Sequence, residues 1–346
     1  MSSDAIGTGF SADPSELRAT HEVEHPAGIG PYRLAWRRLR RNRIALAFGA
    51  LFVVLVLLCL LAPVYASEIA HTGPNVNHIT DQVHVGGKLK DVVSLEGVPI
   101  GPTWHGRFFL GADSNGRDVA VRLLYGGRNS LEVGAVATLI TIILATILGT
   151  VAGFFRGWVD GIIARVLDVI WAYPVILLGV ALGVALAVGG LNLGVFKLQG
   201  NSLMVPAAII GFVYVPYVAK PIRAQVLGLR EKEFVDAART QGLSPLRIMV
   251  EEILPNVAST IIVFVPLIVA NSILTEAGLS YLGAGVQPPN PSWGTMIGDG
   301  IRLIPSAIHL TIVPGLMLVL TILGINVFGD GVRDALDPRA KVRIER

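Results

Sequence analysis

The chain has 346 residues, of which 52% are hydrophobic and only 15% charged, and its formal net charge is +3. Soluble domains carry about 25% charged residues, and a mean hydropathy of +0.62 agrees that this composition belongs to a membrane protein. The single cysteine, Cys59, stands inside an apolar run; this excludes an internal disulfide and a cysteine-based metal cluster, and reads as a small buried hydrophobe.

Residues 1–30 are polar and small, with no apolar period, and read as a mobile tail. The segment PYRLAWRRLRRNR follows, with Arg33, Arg37, Arg38, Arg40, Arg41 and Arg43. A nucleic-acid patch has such a composition, but an uncharged run from Ile44 to Ser67 begins directly after it. About 20 apolar residues cross a bilayer as a helix, and arginines at one end hold that end in the cytoplasm. A cleaved signal peptide has a short basic start and an apolar core of about 7–15 residues. The expectation is therefore a cytoplasmic tail and basic flank at 1–43, an uncleaved first span at 44–67 and no nucleic-acid partner.

Residues 68–128 contain polar, turn-forming pieces such as HTGPNVNH, VGGKLKD and EGVPIGPTWHG. The alternation Val83-His84-Val85 hints at a small strand. The segment reads as a small extracytoplasmic loop region between the first and second spans. His71, His78, His84 and His105 lack a compact ligand spacing and are expected to face solvent.

Five more uncharged runs follow: Val133–Phe155, Val169–Phe196 with its helix starting near Ile162, Leu198–Ala219, Ile253–Thr275 and Leu303–Gly329. Each is long enough to cross, and unpaired backbone groups in lipid require helices. The expected core is a five-helix unit at 129–329, followed by a cytoplasmic tail at 330–346. Six spans return the C-terminus to the side of the N-terminus. The charges agree with that count: Lys220, Arg223, Arg230, Lys232, Arg239 and Arg247 fall in one inner loop, and Arg333, Arg339, Lys341, Arg343 and Arg346 in the tail. The short outer loops carry Lys197 in one and Arg302 in the other. The spans are rich in Gly and Pro, which suits a bundle that rearranges and is equally a general habit of membrane helices.

No GxxxxGK[ST], HExxH or GxSxG occurs. A membrane-embedded enzyme would lack a visible nucleophile and base, so no catalytic residue, metal ligand or cofactor is expected in this chain. Asp168, Glu132 and Glu276 stand at or near span ends, where they can reach the interface. An ion-coupled secondary transporter, the alternative function, needs deeply placed ionisable groups instead.

The one long charged stretch between two apolar spans of the second half is EFVDAARTQGLSPLRIMVEEILP, Glu233 to Pro255. Arg230 to Gln241 reads as a short helix with Phe234, Ala237, Ala238 and Gln241 on one face. Asp236 and Arg239 can pair across a turn. Gly242 is placed as a left-handed cap, and Ser244 and Pro245 open a second short helix that ends before Pro255.

This stretch resembles the EAA loop of ABC importer permeases, with Asp236-Ala237-Ala238, Gly242 and Leu254-Pro255 at the family spacing. Asp236 stands where Glu is usual, and Glu252 where the general pattern is apolar. The pieces RRNRIAL, LGADSNGRDVAVRLLYGGRNSLEVG, LSYLGAGVQPPNPSWGTMI and GDGVRDALDPR are similar to the C subunits of dipeptide/oligopeptide permeases. The resemblance spans most of 35–340, with a longer stretch at 82–109. It implies an all-α membrane protein with six transmembrane helices of the type I ABC importer kind, in a bacterial cytoplasmic membrane and bathed in lipid. It implies a second, homologous permease, two ATPase subunits that bind ATP and Mg, and an extracytoplasmic substrate-binding protein. The coupling residues it implies, within a loop at 230–255, are Glu233, Phe234, Asp236, Ala237, Ala238, Gly242, Leu254 and Pro255.

Overall fold

The computed structural model describes residues 31–189, 191–192 and 197–337. The expected N-terminal tail, the end of the third run and Arg339, Lys341, Arg343 and Arg346 lie outside the described residues.

The arginine-rich flank forms a helix of its own, α1 (Pro31–Arg41). Its Ala35 and Leu39 pack with Ala335 near the chain's other end, and Arg38 donates to the Asp337 carbonyl at 3.0 Å. Asn42 then caps α2 (Arg43–Leu60), its side-chain oxygen accepting the Ala45 N–H at 3.0 Å. Helical turns continue the first span to Ala70.

The segment after it contains a hairpin of β1 (Gln82–Val85) and β2 (Lys88–Asp91), antiparallel with Val83 opposite Lys90. Gly86 and Gly87, at φ +60° and +76°, supply the two left-handed positions of a two-residue turn. A small core of Val92, Phe108 and Ala112 holds the rest of this segment. His71, His84 and His105 are exposed as expected. His78 is not: it bonds Thr72 at 2.8 Å and Asp81 at 2.9 Å, and so fastens the loop rather than facing water.

The second span begins inside the region expected to be loop. Helix α3 runs from Val119 to Phe155, 37 residues and about 55 Å at 1.5 Å per residue. Asp118 caps it: one carboxylate oxygen accepts the Val121 N–H at 3.1 Å and the other the Phe108 N–H at 2.5 Å. Burial pushes this carboxyl above the usual aspartate range, against those amide donors. An uncharged run marks the hydrocarbon part of a helix, not its end, and Arg122 is no interruption because it is paired. Its guanidinium donates to the Pro74 carbonyl at 3.0 Å and lies 3.4 Å from Asp113.

The third span is broken. Helices α4 (Gly157–Trp171) and α5 (Val175–Gly189) meet at 88°. Pro174 lacks an N–H and disfavours the helical conformation at Tyr173 before it. The fourth span, α6, covers Met204–Leu229, the fifth helix α8 covers Pro245–Tyr281, and the last, α10, covers His309–Leu336; between the fourth and fifth lies the short α7 (Glu233–Thr240). Before α10 comes α9 (Trp293–Gly300), with a capping box at Ser292 and Thr295. Among the described residues, five helices are long and apolar enough to cross a membrane, and the bent pair makes a sixth span.

Helix α3 is the centre of the bundle, and glycines let α6 approach it. A Cβ at Gly149 would stand 2.7 Å from the Ala219 carbonyl oxygen, and one at Gly153 2.7 Å from the Val226 side chain. This four-residue spacing of small residues is a close-packing face for membrane helices. Thr141 adds a cross-helix bond to the Gly211 carbonyl at 2.9 Å.

Candidate functional site

The charged stretch folds as helix, glycine, helix. α7 starts at Glu233 rather than at Arg230, because Lys232 is extended. Gly242 sits at φ +79°. Its N–H bonds the Arg239 carbonyl at 2.9 Å and the Leu243 N–H bonds the Ala238 carbonyl at 3.1 Å. This pair closes the helix as a Schellman motif, and Leu243 packs on the main core. Ser244 accepts the Arg247 N–H at 3.4 Å, with Pro245 next. Asp236 and Arg239 pair at 2.9 Å.

Two details differ from the expectation. The second helix does not stop at Leu254-Pro255: Pro245 to Tyr281 is one rod, with a wide-turn stretch at Ile248–Ile253. The proline is tolerated because Pro255 falls in the first turn of the regular helix that follows the wide-turn stretch. The inward face of α7 is Val235 and Ala238, both buried in the main core, with Phe234 half-buried against it. Ala238 is therefore not on the presented surface. Glu233, Asp236, Ala237 and Gly242 are exposed; Leu254 is half-buried and Pro255 exposed. Leu246 and Val250, one turn apart on the second arm, are also exposed apolar residues. Sequence reading missed them, although an apolar pair spaced by four within a charged segment was a signal for them.

The loop is anchored by residues distant in sequence. Arg156, just past the end of α3, pairs with Glu231, and Arg230 donates to the Phe154 carbonyl. The Arg239 guanidinium lies 5.9 Å from the Phe154 ring centre. Behind this, α4 is pinned to α6 by Asp160–Arg223 at 2.7 Å and Asp168–Lys220 at 2.8 Å. The Lys220 ammonium also stands 4.2 Å over Trp171, whose ring stacks on Tyr217. A load on α7 thus meets the end of α3 directly, and α4 through α6.

At the opposite end of the molecule the 110–130 and 279–300 stretches meet. Asn129 donates to the Pro291 carbonyl at 2.7 Å, and Trp293, fully buried, donates to the Leu123 carbonyl at 3.1 Å. Glu276 lies beneath them and is completely buried, not within reach of the interface as its sequence position suggested. The Ser280 hydroxyl donates to it at 2.6 Å and in turn accepts the Val286 N–H at 2.9 Å. Its other oxygen keeps no hydrogen bond, although Ser130 and Ser292 present hydroxyls to the same carboxyl. Among the described residues no group of three His, Cys, Asp or Glu is arranged to hold a metal.

The chain is thus a multi-span helical membrane protein with a helix–glycine–helix projection between its fourth and fifth spans. Residues 145–342 match the family described as binding-protein-dependent transport system inner membrane component, and residues 30–79 match the N-terminal TM domain of oligopeptide transport permease C. The chain belongs to this family of ABC importer permeases. It is 35% identical over 314 residues to the dipeptide transport system permease protein DppC of Alkalihalophilus pseudofirmus, covering 90% of this chain and 91% of the relative. It is 35% identical over 311 residues to the glutathione transport system permease protein GsiD of Escherichia coli O6:K15:H31, again 90% and 91%. The fold resembles the MetNI methionine ABC transporter in an inward-facing conformation, with a TM-score of 0.50 and 16% identity, over 62% of this chain and 96% of the other. Glu276 alone would suit an ion-coupled carrier; family membership does not favour that alternative.

Proposed function

We propose that this chain is one transmembrane half of an ATP-driven importer of short peptides. A homologous permease completes the pathway, an extracytoplasmic binding protein delivers the solute, and two ATPase subunits bind ATP and Mg. The named relatives, a dipeptide permease and a glutathione permease, support a peptide-like cargo. The excess of basic residues on the Gly242 side supports a cytoplasmic position for that side and for both termini.

The observation that carries the reading is the anchored helix–Gly242–helix projection. Glu233, Asp236 and Ala237 of the original set, with Leu246 and Val250, form the face offered to an ATPase groove. Phe234 and Ala238 hold that face to the core, Gly242 sets the angle between the arms, and half-buried Leu254 and exposed Pro255 lie along the second arm. Because that arm is continuous with the fifth span, movement of the projection is passed directly into the bundle. ATP binding draws the projections of the two permeases together and favours the outward-open bundle to the extent that docking energy differs between the two states. Swinging a balance from 1:99 to 99:1 takes about 5.5 kcal/mol.

Reconstitution tests the reading. Vesicles holding both permeases, both ATPases and the binding protein should take up peptide only with ATP. Uptake by this chain alone, driven by an ion gradient, would replace the proposal with a secondary transporter.

A further inference from the structure

At the end opposite Gly242, the loop before α3, the last turn of α8 and α9 enclose a cleft of about 570 Å³. Sites for small solutes span about 300–1,000 Å³ and hold a few convergent polar groups. Here those groups include acidic and basic side chains together. Asp299 and Arg302, three residues apart on α9 and the turn that extends it, line the cleft, and such a spacing puts two side chains on one face. They do not pair with each other. Asp299 lies 3.6 Å from Arg117 with its side chain 57% exposed, while exposed Arg302 has no ion-pair partner among the described residues.

The rest of the cleft is held in place. Arg117 is fixed by Asp113 at 2.6 Å, and buried Arg122 by the Pro74 carbonyl at 3.0 Å. Ser280 on the wall is tied to buried Glu276 below and to the Val286 N–H above. Gln287, Asn290 and Thr295 add neutral polar groups.

We propose that this cleft receives a short zwitterionic solute, a peptide with free termini. Arg302 takes the carboxylate, in the paired geometry a guanidinium favours, and Asp299 takes the ammonium. This rests on the reading of the chain as a peptide-importer subunit and adds the place and the chemistry of a contact. An acidic side chain of a docking protein would use Arg302 but be repelled by Asp299, whereas a zwitterion uses both.

The test uses the full complex of both permeases and both ATPases in nanodiscs, without binding protein, and saturation-transfer NMR of three probes: Ala-Ala, acetyl-Ala-Ala and Ala-Ala-amide. Expected is contact with Ala-Ala that weakens about tenfold or more on capping either end, the scale of losing one charged hydrogen bond. Arg302→Gln should erase the penalty for the amide and Asp299→Asn the penalty for the acetyl group. Equal contact by all three probes, no contact by Ala-Ala, or binding unchanged in both variants overturns the proposal. Variants that keep Ala-Ala contact but lose stimulation of ATP hydrolysis by the binding protein overturn it in favour of a protein-docking surface. ATP-driven uptake by the same preparations plus binding protein separates the two levels: uptake without contact at the cleft sinks this site alone, and no uptake at all sinks the importer reading.

Discussion

Replacing Gly242 by Val perturbs the coupling projection with the fewest side effects. A Cβ at Gly242 would meet nothing within 4 Å, so the substitution clashes with no neighbour and its whole cost lies in the backbone. Gly242 stands at φ +79°, and a left-handed conformation costs an L-residue about 1–2 kcal/mol, with a β-branched side chain at the upper end. The chain can escape by abandoning the Schellman pair, which frees the Ala238 and Arg239 carbonyls and re-aims α7 against α8. Either route removes about 2 kcal/mol, roughly 30-fold in an equilibrium, from the docked state. Membrane insertion depends on spans far from Gly242 and should be unchanged. The assay pairs immunodetection of the inserted chain with ATP-driven peptide uptake. Expected are normal membrane levels, uptake abolished in Gly242→Val and a partial loss in Gly242→Ala. Uptake at the unsubstituted level in the valine variant would refute the role assigned to the bend.

Further outcomes follow from other contacts. Gly149→Val drives a side chain against the Ala219 backbone oxygen at 2.7 Å, which cannot move aside, so thermal unfolding in detergent should show a loss of at least about 1–3 kcal/mol; unchanged stability would contradict the close α3–α6 packing. Arg230→Ala removes the tie to the Phe154 carbonyl and should leave stability within about 1 kcal/mol of wild type while lowering transport per ATP hydrolysed; an unchanged ratio would show that the anchor transmits nothing. Deleting 285–292 detaches the loop held by Ser280 and Asn129 and should abolish stimulation of the ATPases by the binding protein while basal hydrolysis persists. Stimulation that survives the deletion would remove this loop from the delivery face.

The spans were legible because each hydrocarbon crossing needs a long uncharged run, and each of the six runs contains helix, the third as a bent pair that ends at Gly189 before the short strand pair Leu191–Asn192 and Lys197–Leu198. Their ends were not. Helix α3 continues 14 residues past the uncharged run because Arg122 and Asp118 are satisfied by partners from the preceding loop. The turn at Gly242 was readable because one residue type tolerates that backbone conformation. Which of Ala237 and Ala238 faces outward was not, since both fit the helical spacing and only the core behind α7 decides between them. The anchoring contacts of Arg156 and Arg230 were not legible for a similar reason: their partners lie about 75 residues away. Glu276 stood near the end of an uncharged run, and its burial became apparent only when Ser130 and Ser292 were brought over it from other helices.

The docking of α7 onto an ATPase subunit is tested most directly by a photo-crosslinking residue placed at Ala237 in the assembled complex. Expected is a crosslink to an ATPase subunit at Ala237 that strengthens when ATP is bound, and none from the same residue at Leu95, which is fully exposed on the opposite end. An ATPase-free pattern at Ala237 in a complex that still imports peptide would contradict the coupling role.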